Sequence, residues 1–280
     1  MSSATPNADA MLRDLMPAVL EAARLEMMHF TAGVIIERKA DKSPVTIADR
    51  EAEAIILAAL NKVAPDIAIV AEEAAANGFL PAASDRFFLV DALDGTHLFV
   101  KGRPEFSINI ALVENTKATF GLIFNPAAGR LYVTKADGKA YTTLVPLNAT
   151  AAQLDGLAYE QLCARYADAK NLVALNSRAS GGASADLLHS LGVAEARPMG
   201  SSLKFCLLAA GEGDLYARLG DTYEWDTAAG QAILEAAGGS VTLLDGQSLS
   251  YGHAGRQYLN PHFVAWGRTP MIDRLMPAKT

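Results

Sequence analysis

RFFLVDALDGTHLF, residues 86–99, decides how the rest of this chain is read. Phe87–Val90 is a short apolar run of the kind that forms a buried strand. It stops at two aspartates three residues apart, Asp91 and Asp94, followed by Gly95-Thr96. A strand that runs straight into acids and a glycine carries its chemistry at its C-terminal mouth, since functional groups gather on loops held by rigid elements. Two carboxylates this close repel each other unless a proton or a cation sits between them. A divalent ion answers that repulsion. An Asx-type turn with Asp94-Gly95 at its corner answers the same pattern without a metal. This stretch alone leaves both readings standing.

Other acids sit at comparable places. Ile67–Val70 reads as a second short strand with Glu72-Glu73 just beyond it. The polar and small residues after it, 74–85, read as a loop, so a solvated loop acid is the alternative for Glu72. Thr46 caps a helix over 46–63, and Asp49 stands three residues on, as in a capping box. Asp226 begins a helix closed by Gly238-Gly239. Each acid thus has a local reason to be where it is. If Asp49, Glu72, Asp91, Asp94 and Asp226 converge, the set is all hard oxygen donors without histidine or cysteine. That chemistry suits Mg²⁺ or Mn²⁺ rather than zinc. A pair of such ions, bridged by a carboxylate such as Asp91, binds a phosphate, activates a water and stabilises a leaving oxygen. Thr96 is then placed to orient the water, and Gly95 allows close approach to backbone N–H groups.

The chain has 280 residues, 51% of them hydrophobic, enough to bury large cores in one domain or two intimate halves. Its formal net charge of −7 argues against binding nucleic-acid polymers through a basic surface. It leaves room for a small anion in a locally positive pocket. Cys163 and Cys206 give neither a disulfide framework nor zinc spacing. No signal peptide is evident at the start, and Met27–Ile36 is too short to span a bilayer. The expectation is a cytoplasmic protein, with peripheral contact at the inner face of the cell membrane left open.

Leu12, Leu15, Val19, Ala23 and Met27 recur at helical spacing and predict a first amphipathic helix around Pro17. Residues 37–45 read as a loop or hairpin tip. Strands are predicted at Phe106–Val113, Ala118–Phe124, Arg130–Thr134 and Lys139–Leu144, an antiparallel meander that makes the first half α+β. Residues 145–157 are the candidate boundary between an N-terminal domain, 1–150, and a C-terminal domain, 151–280. In the latter, strands at Leu172–Leu175 and Leu215–Ala217 alternate with helices from Ser184, from Gly200-Ser201-Ser202 and from Asp226, an α/β pattern. Ser201 or Ser202 is the expected cap of the middle helix, whose backbone N–H groups can hold an anion.

Glu72-Glu73, Asp91-Ala92-Leu93-Asp94-Gly95-Thr96 and Trp225-Asp226-Thr227-Ala228-Ala229-Gly230 stand in this order and widely separated. Together they resemble the signatures of the inositol monophosphatase superfamily of Mg²⁺-dependent, lithium-sensitive phosphatases. The likeness runs from about Pro44 to Pro261. Within the superfamily, SPVTIAD at 43–49 and the stretch 200–230 resemble the bacterial 3′(2′),5′-bisphosphate nucleotidase branch. The resemblance implies a layered α-β-α-β-α sandwich, the sugar phosphatase fold. It implies two or three Mg²⁺ ions, with Mn²⁺ as a substitute. Glu72, Asp91 and the carbonyl of Leu93 would hold the first ion; Asp91, Asp94 and Asp226 would hold the second. Glu72 would also serve a third ion or the attacking water. Asp49 and Thr96 would form the dyad that activates that water, and the N–H groups of Gly95 and Thr96 would receive the scissile phosphate.

The implied substrate is adenosine 3′,5′-bisphosphate, giving AMP and phosphate, with a role around sulfate assimilation. Inositol phosphate or a sugar phosphate is the nearest alternative, and a non-catalytic metal- or nucleotide-binding regulator is the alternative of another class. A doubly phosphorylated nucleoside needs extra positive charge. Arg178 and Lys204 are the candidates, with Ser177, Gly200, Ser201 and Asp226 beside them; a solvated helix lysine is the plain alternative for Lys204. Two departures from the branch stand out. Ala92 replaces the proline between the aspartates, and His97-Leu98 replaces Lys-Glu. Monomer and homodimer are both compatible with the sequence.

Overall fold

The computed structural model describes residues 7–33, 36–38, 44–82, 84–177 and 182–275. The chain before residue 7, the hairpin tip at 39–43 and Arg178 lie outside the described residues. Helix α1 (Ala8–Ala32) is longer than its periodicity suggests. The side chain of Asn7 caps it by accepting the Asp9 N–H at 2.9 Å. Pro17 lies in its interior and deprives the Arg13 carbonyl of a helical donor. Burial of Leu12, Leu15, Met16, Val19 and Ala23 on one face offsets that loss.

A two-stranded hairpin follows, β1 (Ile36–Arg38) and β2 (Pro44–Thr46), and then α2 (Ile47–Val63). Next come β3 (Ala68–Ala71), α3 (Glu72–Ala76), β4 (Arg86–Asp94) and α4 (Thr96–Phe99). Here the structure corrects one expectation: Glu72 opens a short helix rather than a loop. Alanine, which fills 74–76, has the highest helix propensity of any residue, and the expected loop begins only at Asn77. The meander is β5 (Ser107–Glu114), β6 (Lys117–Asn125), β7 (Arg130–Thr134) and β8 (Ala140–Leu144). After α5 (Ala151–Asp155), β9 (Glu160–Gln161) returns to pair with β8. The seven strands stand in the order β3-β4-β5-β6-β7-β8-β9, antiparallel except for β3 and β4.

The second sheet takes β10 (Leu172–Asn176), β11 (Val193–Pro198), β12 (Leu215–Arg218), β13 (Ser240–Leu243) and β14 (Phe263–Trp266), in the order β11-β10-β12-β14-β13. Helices α6 (Ala183–Ser190), α7 (Leu203–Ala209) and α8 (Glu224–Ala236) complete the fold. Strands β11, β13 and β14 carry no signal in the alternation used above. β11 is almost wholly exposed, and the other two are four-residue strands.

Side-chain alternation along each strand sorts the layers. Phe88 and Val90 of β4, Ile108, Ile110 and Leu112 of β5, and Leu122 and Phe124 of β6 pack under α1 and α2. Phe87 and Leu89 point the other way, into the core shared with Phe205 of α7 and Ala229 and Ile233 of α8. Tyr216 and Phe263 of the second sheet close that same core. The far face of the second sheet, with Ala174, Leu215 and Trp266, packs against Leu188 of α6. The result is the α-β-α-β-α sandwich expected from the resemblance. Close packing of α8 on the first sheet requires Gly121, where a Cβ would stand 2.3 Å from the Ala229 carbonyl oxygen. Among the described residues no helix is long and apolar enough to cross a membrane.

Candidate active site

Helix starts and a strand end bring the acids together. Glu72 is the first residue of α3, Asp49 lies in the first turn of α2, and Asp226 lies in the first turn of α8. Backbone N–H groups at helix starts favour negative charge there. On β4, Asp91 continues the Phe87, Leu89 alternation and so faces the layer of α8. A bulge follows: Asp91 pairs with Asn109 and Asp94 with Ser107, three steps on β4 against two on β5. The extra residue ends the alternation and turns Asp94 aside.

One carboxylate oxygen from each of Glu72, Asp91 and Asp226 lies within 4.8 Å of the others. That spread is one a hard divalent cation can draw together, and three oxygen ligands are the donor set such an ion takes. Electrostatics points the same way. Burial first, then the charges of Asp94 and Glu72, pushes the Asp226 carboxyl well above the usual carboxylate range. A cation among these acids removes the repulsion and fits the residues present.

Asp94 stands outside that set of three. Its Oδ2 accepts the Ser202 N–H at 2.5 Å and the Asn109 amide at 3.3 Å. Burial raises its pKa, and Lys204 nearby offsets part of the rise. Leu93 turns its side chain into a small core with Phe99 and Phe106, while its carbonyl accepts from the Thr96 hydroxyl at 3.2 Å.

Thr96 and Asp49 meet. The Thr96 hydroxyl donates to Asp49 Oδ1 at 2.7 Å. The other oxygen, Oδ2, accepts the Thr46 N–H at 2.7 Å and the Thr46 hydroxyl at 2.6 Å. One carboxylate therefore caps α2 and holds Thr96 at once. Burial raises the Asp49 pKa, and its bonds to Thr46 and Thr96 pull it back.

Asp94 and Asp226 border a cleft of about 460 Å³. Gly95, His97, Ser177, Gly200, Ser201, Lys204 and Asp226 all line it. Lys204 is not a solvated helix residue: it is 5% exposed, and its ammonium donates to the Ser201 carbonyl at 2.6 Å and lies 4.8 Å over the Tyr216 ring. Burial pushes its pKa down to about 8 although Asp94 and Asp226 favour the charged form. Ser202 holds the N-cap position of α7 as expected, but without a side-chain cap bond. Its hydroxyl donates to Asn109 at 2.8 Å, while Ser201 takes a left-handed backbone (φ +48°) and accepts the Leu203 N–H at a long 3.3 Å. Two close approaches shape the floor. A Cβ on Gly200 would lie 2.1 Å from Leu98 Cδ1, and Gly95 has φ +95°.

Sequence reasoning missed Lys101, Arg103 and Arg218, which also line the cleft. Lys101 and Arg103 could have been found as basic residues just downstream of the Asp-Gly-Thr turn. Arg218 ends β12 and is held by the Gly220 carbonyl at 3.1 Å and by that of Asp221, a contact no spacing rule reveals.

A further buried acid lies close enough to Asp49 to feel its charge. Glu26 of α1 is 0% exposed, and among the described residues neither of its carboxylate oxygens has a hydrogen-bond partner. Burial, then Asp49, holds its pKa well above the usual range. The folded state therefore keeps a proton that the unfolded chain gives up above the ordinary carboxylate pKa. Stability contributed at this site is greatest in acid and falls as pH rises toward the folded pKa. Glu26→Leu is expected to raise stability by about 1–3 kcal/mol at neutral pH, the cost of a buried polar group without a partner. Urea titrations of both proteins at pH 5 and pH 8 check this; a gain no larger at pH 8 than at pH 5 contradicts it.

Residues 8–272 match the sequence model of the inositol monophosphatase family. The 3′(2′),5′-bisphosphate nucleotidase CysQ of Escherichia coli K12 is 35% identical over 242 residues, 86% of this chain and 92% of that protein. The CysQ crystal structure from Bacteroides thetaiotaomicron superposes with a TM-score of 0.72 at 32% identity, covering 92% of this chain and 97% of its own. An inositol monophosphatase of Thermotoga maritima gives 0.73 at 25% identity, with 93% of each chain covered.

Proposed function

The chain belongs to the inositol monophosphatase family and is a phosphatase; on that premise we propose that it is a Mg²⁺-dependent 3′(2′),5′-bisphosphate nucleotidase that converts adenosine 3′,5′-bisphosphate to AMP and phosphate. The observation that carries the choice of substrate is the cleft. His97, Lys101, Arg103, Lys204 and Arg218 line a space that Asp94 and Asp226 border. A single phosphate needs no such number of cations once a metal is bound; a second phosphate and a nucleobase give them work. The lysine missing at position 97 is made up by Lys101 and Arg103 on the same cleft, and Arg218 adds a further positive charge to its wall.

Glu72, Asp91 and Asp226 would hold Mg²⁺, with the Leu93 carbonyl and Asp94 as further oxygens. Bound there, the ion supplies Lewis-acid stabilisation of the phosphoryl oxygens and lowers the pKa of a water. The rest is done by the chain. Thr96, with its proton directed to Asp49, presents an oxygen lone pair to the attacking water. The water's proton passes to Thr96 as Thr96 releases its own to Asp49, and burial of Asp49 raises its pKa toward that of a useful base. Gly95 and Thr96 offer backbone N–H groups to the scissile phosphate, and Gly95 is needed for that approach because its φ is +95°. Ser177, Gly200, Ser201 and Lys204 face the remainder of the substrate.

Phosphate release from adenosine 3′,5′-bisphosphate, inositol 1-phosphate and fructose 1,6-bisphosphate, measured side by side with Mg²⁺, tests the reading. kcat/KM is expected to be at least about tenfold higher on the first, the discrimination that one well-placed charged contact gives. Equal rates on all three leave the family and remove the nucleotidase.

A further inference from the structure

Glu53 is buried, 5% exposed, and has no part in the chemistry above. It lies on α2 one turn beyond Asp49, so the two carboxylates share a face of that helix. Both of its oxygens are engaged with the start of α3. Oε2 accepts the Glu73 N–H at 2.7 Å and Oε1 accepts the Ala74 N–H at 2.9 Å. The residue before α3 is Ala71, which has no side chain to cap it, so Glu53 supplies from another helix the acceptors that α3 lacks locally. At five residues, Glu72–Ala76, α3 is far too short to hold its own shape. What fixes its first turn fixes Glu72.

We propose that Glu53 is a positioning residue: by clamping the Glu73 and Ala74 amides it sets where Glu72 stands relative to the Asp49–Thr96 pair. A single helix face then aims two parts of the site. Asp49 holds Thr96, and one turn along Glu53 holds the helix start that presents Glu72. The burial of Glu53 pushes its pKa up to about 7 while the two amide bonds oppose the rise, a cost consistent with a carboxylate kept for its two acceptors. The inference rests on the reading of Glu72 as a metal ligand.

The test uses the whole protein and Mn²⁺ as a spectroscopic probe. Glu53→Gln keeps the size of the side chain but replaces one acceptor oxygen by an NH₂ that cannot receive an amide proton. Mn²⁺ affinity, read by electron paramagnetic resonance without substrate, is expected to weaken about 10- to 100-fold, the usual effect of losing a partner that orients a metal ligand. The Mg²⁺ concentration for half-maximal rate rises in step, while KM at saturating Mg²⁺ stays within about twofold, since Glu53 touches none of the cleft. Glu51→Gln, at an exposed neighbour, leaves both metal constants unchanged. If Glu53→Gln melts lower but binds Mn²⁺ like the wild type, the role is only structural and the proposal falls. Should that variant not fold, Glu53→Asp, which keeps the charge and gives up one methylene of reach, is read by the same two outcomes. A wild type that binds no Mn²⁺ overturns the metal reading itself and the positioning role with it; a wild type that binds, matched by its variant, overturns the positioning role alone.

Discussion

Asp91→Asn should lower turnover by about three orders of magnitude at saturating Mg²⁺. The reasoning starts from charge. Asn has the same shape, and its oxygen still accepts the Leu93 N–H that Asp91 Oδ1 takes at 3.0 Å. Side-chain packing at this 3%-exposed position is therefore kept. What is lost is the one negative charge of the cluster of Glu72, Asp91 and Asp226 that sits on β4 rather than at a helix start. Metal-supplied stabilisation of a phosphoryl transition state amounts to several kcal/mol, and at about 1.4 kcal/mol per decade that is about a thousandfold.

Melting curves give the same variant a second and opposite signature. Glu72 and Asp226 repel with Asp91 nearby, so the metal-free variant should melt no lower than the metal-free wild type. A ligand that binds only the folded state raises stability as its concentration exceeds its dissociation constant. Mg²⁺ should therefore raise the melting temperature of the wild type and leave that of Asp91→Asn almost unmoved. Turnover within tenfold of the wild type, or an undiminished Mg²⁺ shift, contradicts the assignment of Asp91 to the metal.

Much of this is legible in the sequence. Phe87–Val90 had to be a buried strand because both of its faces are apolar, and both faces are in fact covered, one by α1 and α2 and the other by α7 and α8. Asp49 read as a helix cap from Thr46 alone, and that bond exists. Its second bond, to Thr96, crosses 47 residues of sequence and follows from the family resemblance, not from spacing. The acids could be placed individually at helix starts and strand ends, but their meeting depends on β4 being alongside β3 and under α8, which no local period encodes. Lys204 shows the limit most plainly. The sequence offers it as a substrate contact with a solvated helix residue as the alternative, and only the packing of α7 between two sheets shows that it is buried. Glu53 is the converse, one charged residue among several on α2, whose partner is a backbone segment 20 residues away.

Thr96→Val should lower kcat by about 10²- to 10⁴-fold, the range for loss of a positioned acid–base group. It should leave the metal requirement alone, and that separates it from Asp91→Asn. Valine fills the space of threonine and removes only the hydroxyl that donates to Asp49 Oδ1. Neither Glu72, Asp91 nor Asp226 loses a charge, so Mn²⁺ affinity and the Mg²⁺ shift in melting temperature stay as in the wild type. The Asp49 oxygen left without its donor costs about 1–3 kcal/mol of stability, and Asp49 keeps its bonds to Thr46, so α2 remains capped. The pH profile supplies the sharper test. The bond from Thr96 stabilises the ionised form of Asp49 and is one of the forces holding its pKa down. Removing it lets burial raise that pKa further, so the acid limb of the residual kcat should move to higher pH. Thr96→Ser, which keeps a hydroxyl at the same place, should restore most of the rate and return the limb to its wild-type position. An acid limb that stays in place when the hydroxyl is gone, together with a kcat reduced less than tenfold, means that the Asp49–Thr96 pair holds the start of α4 in position and takes no proton from water.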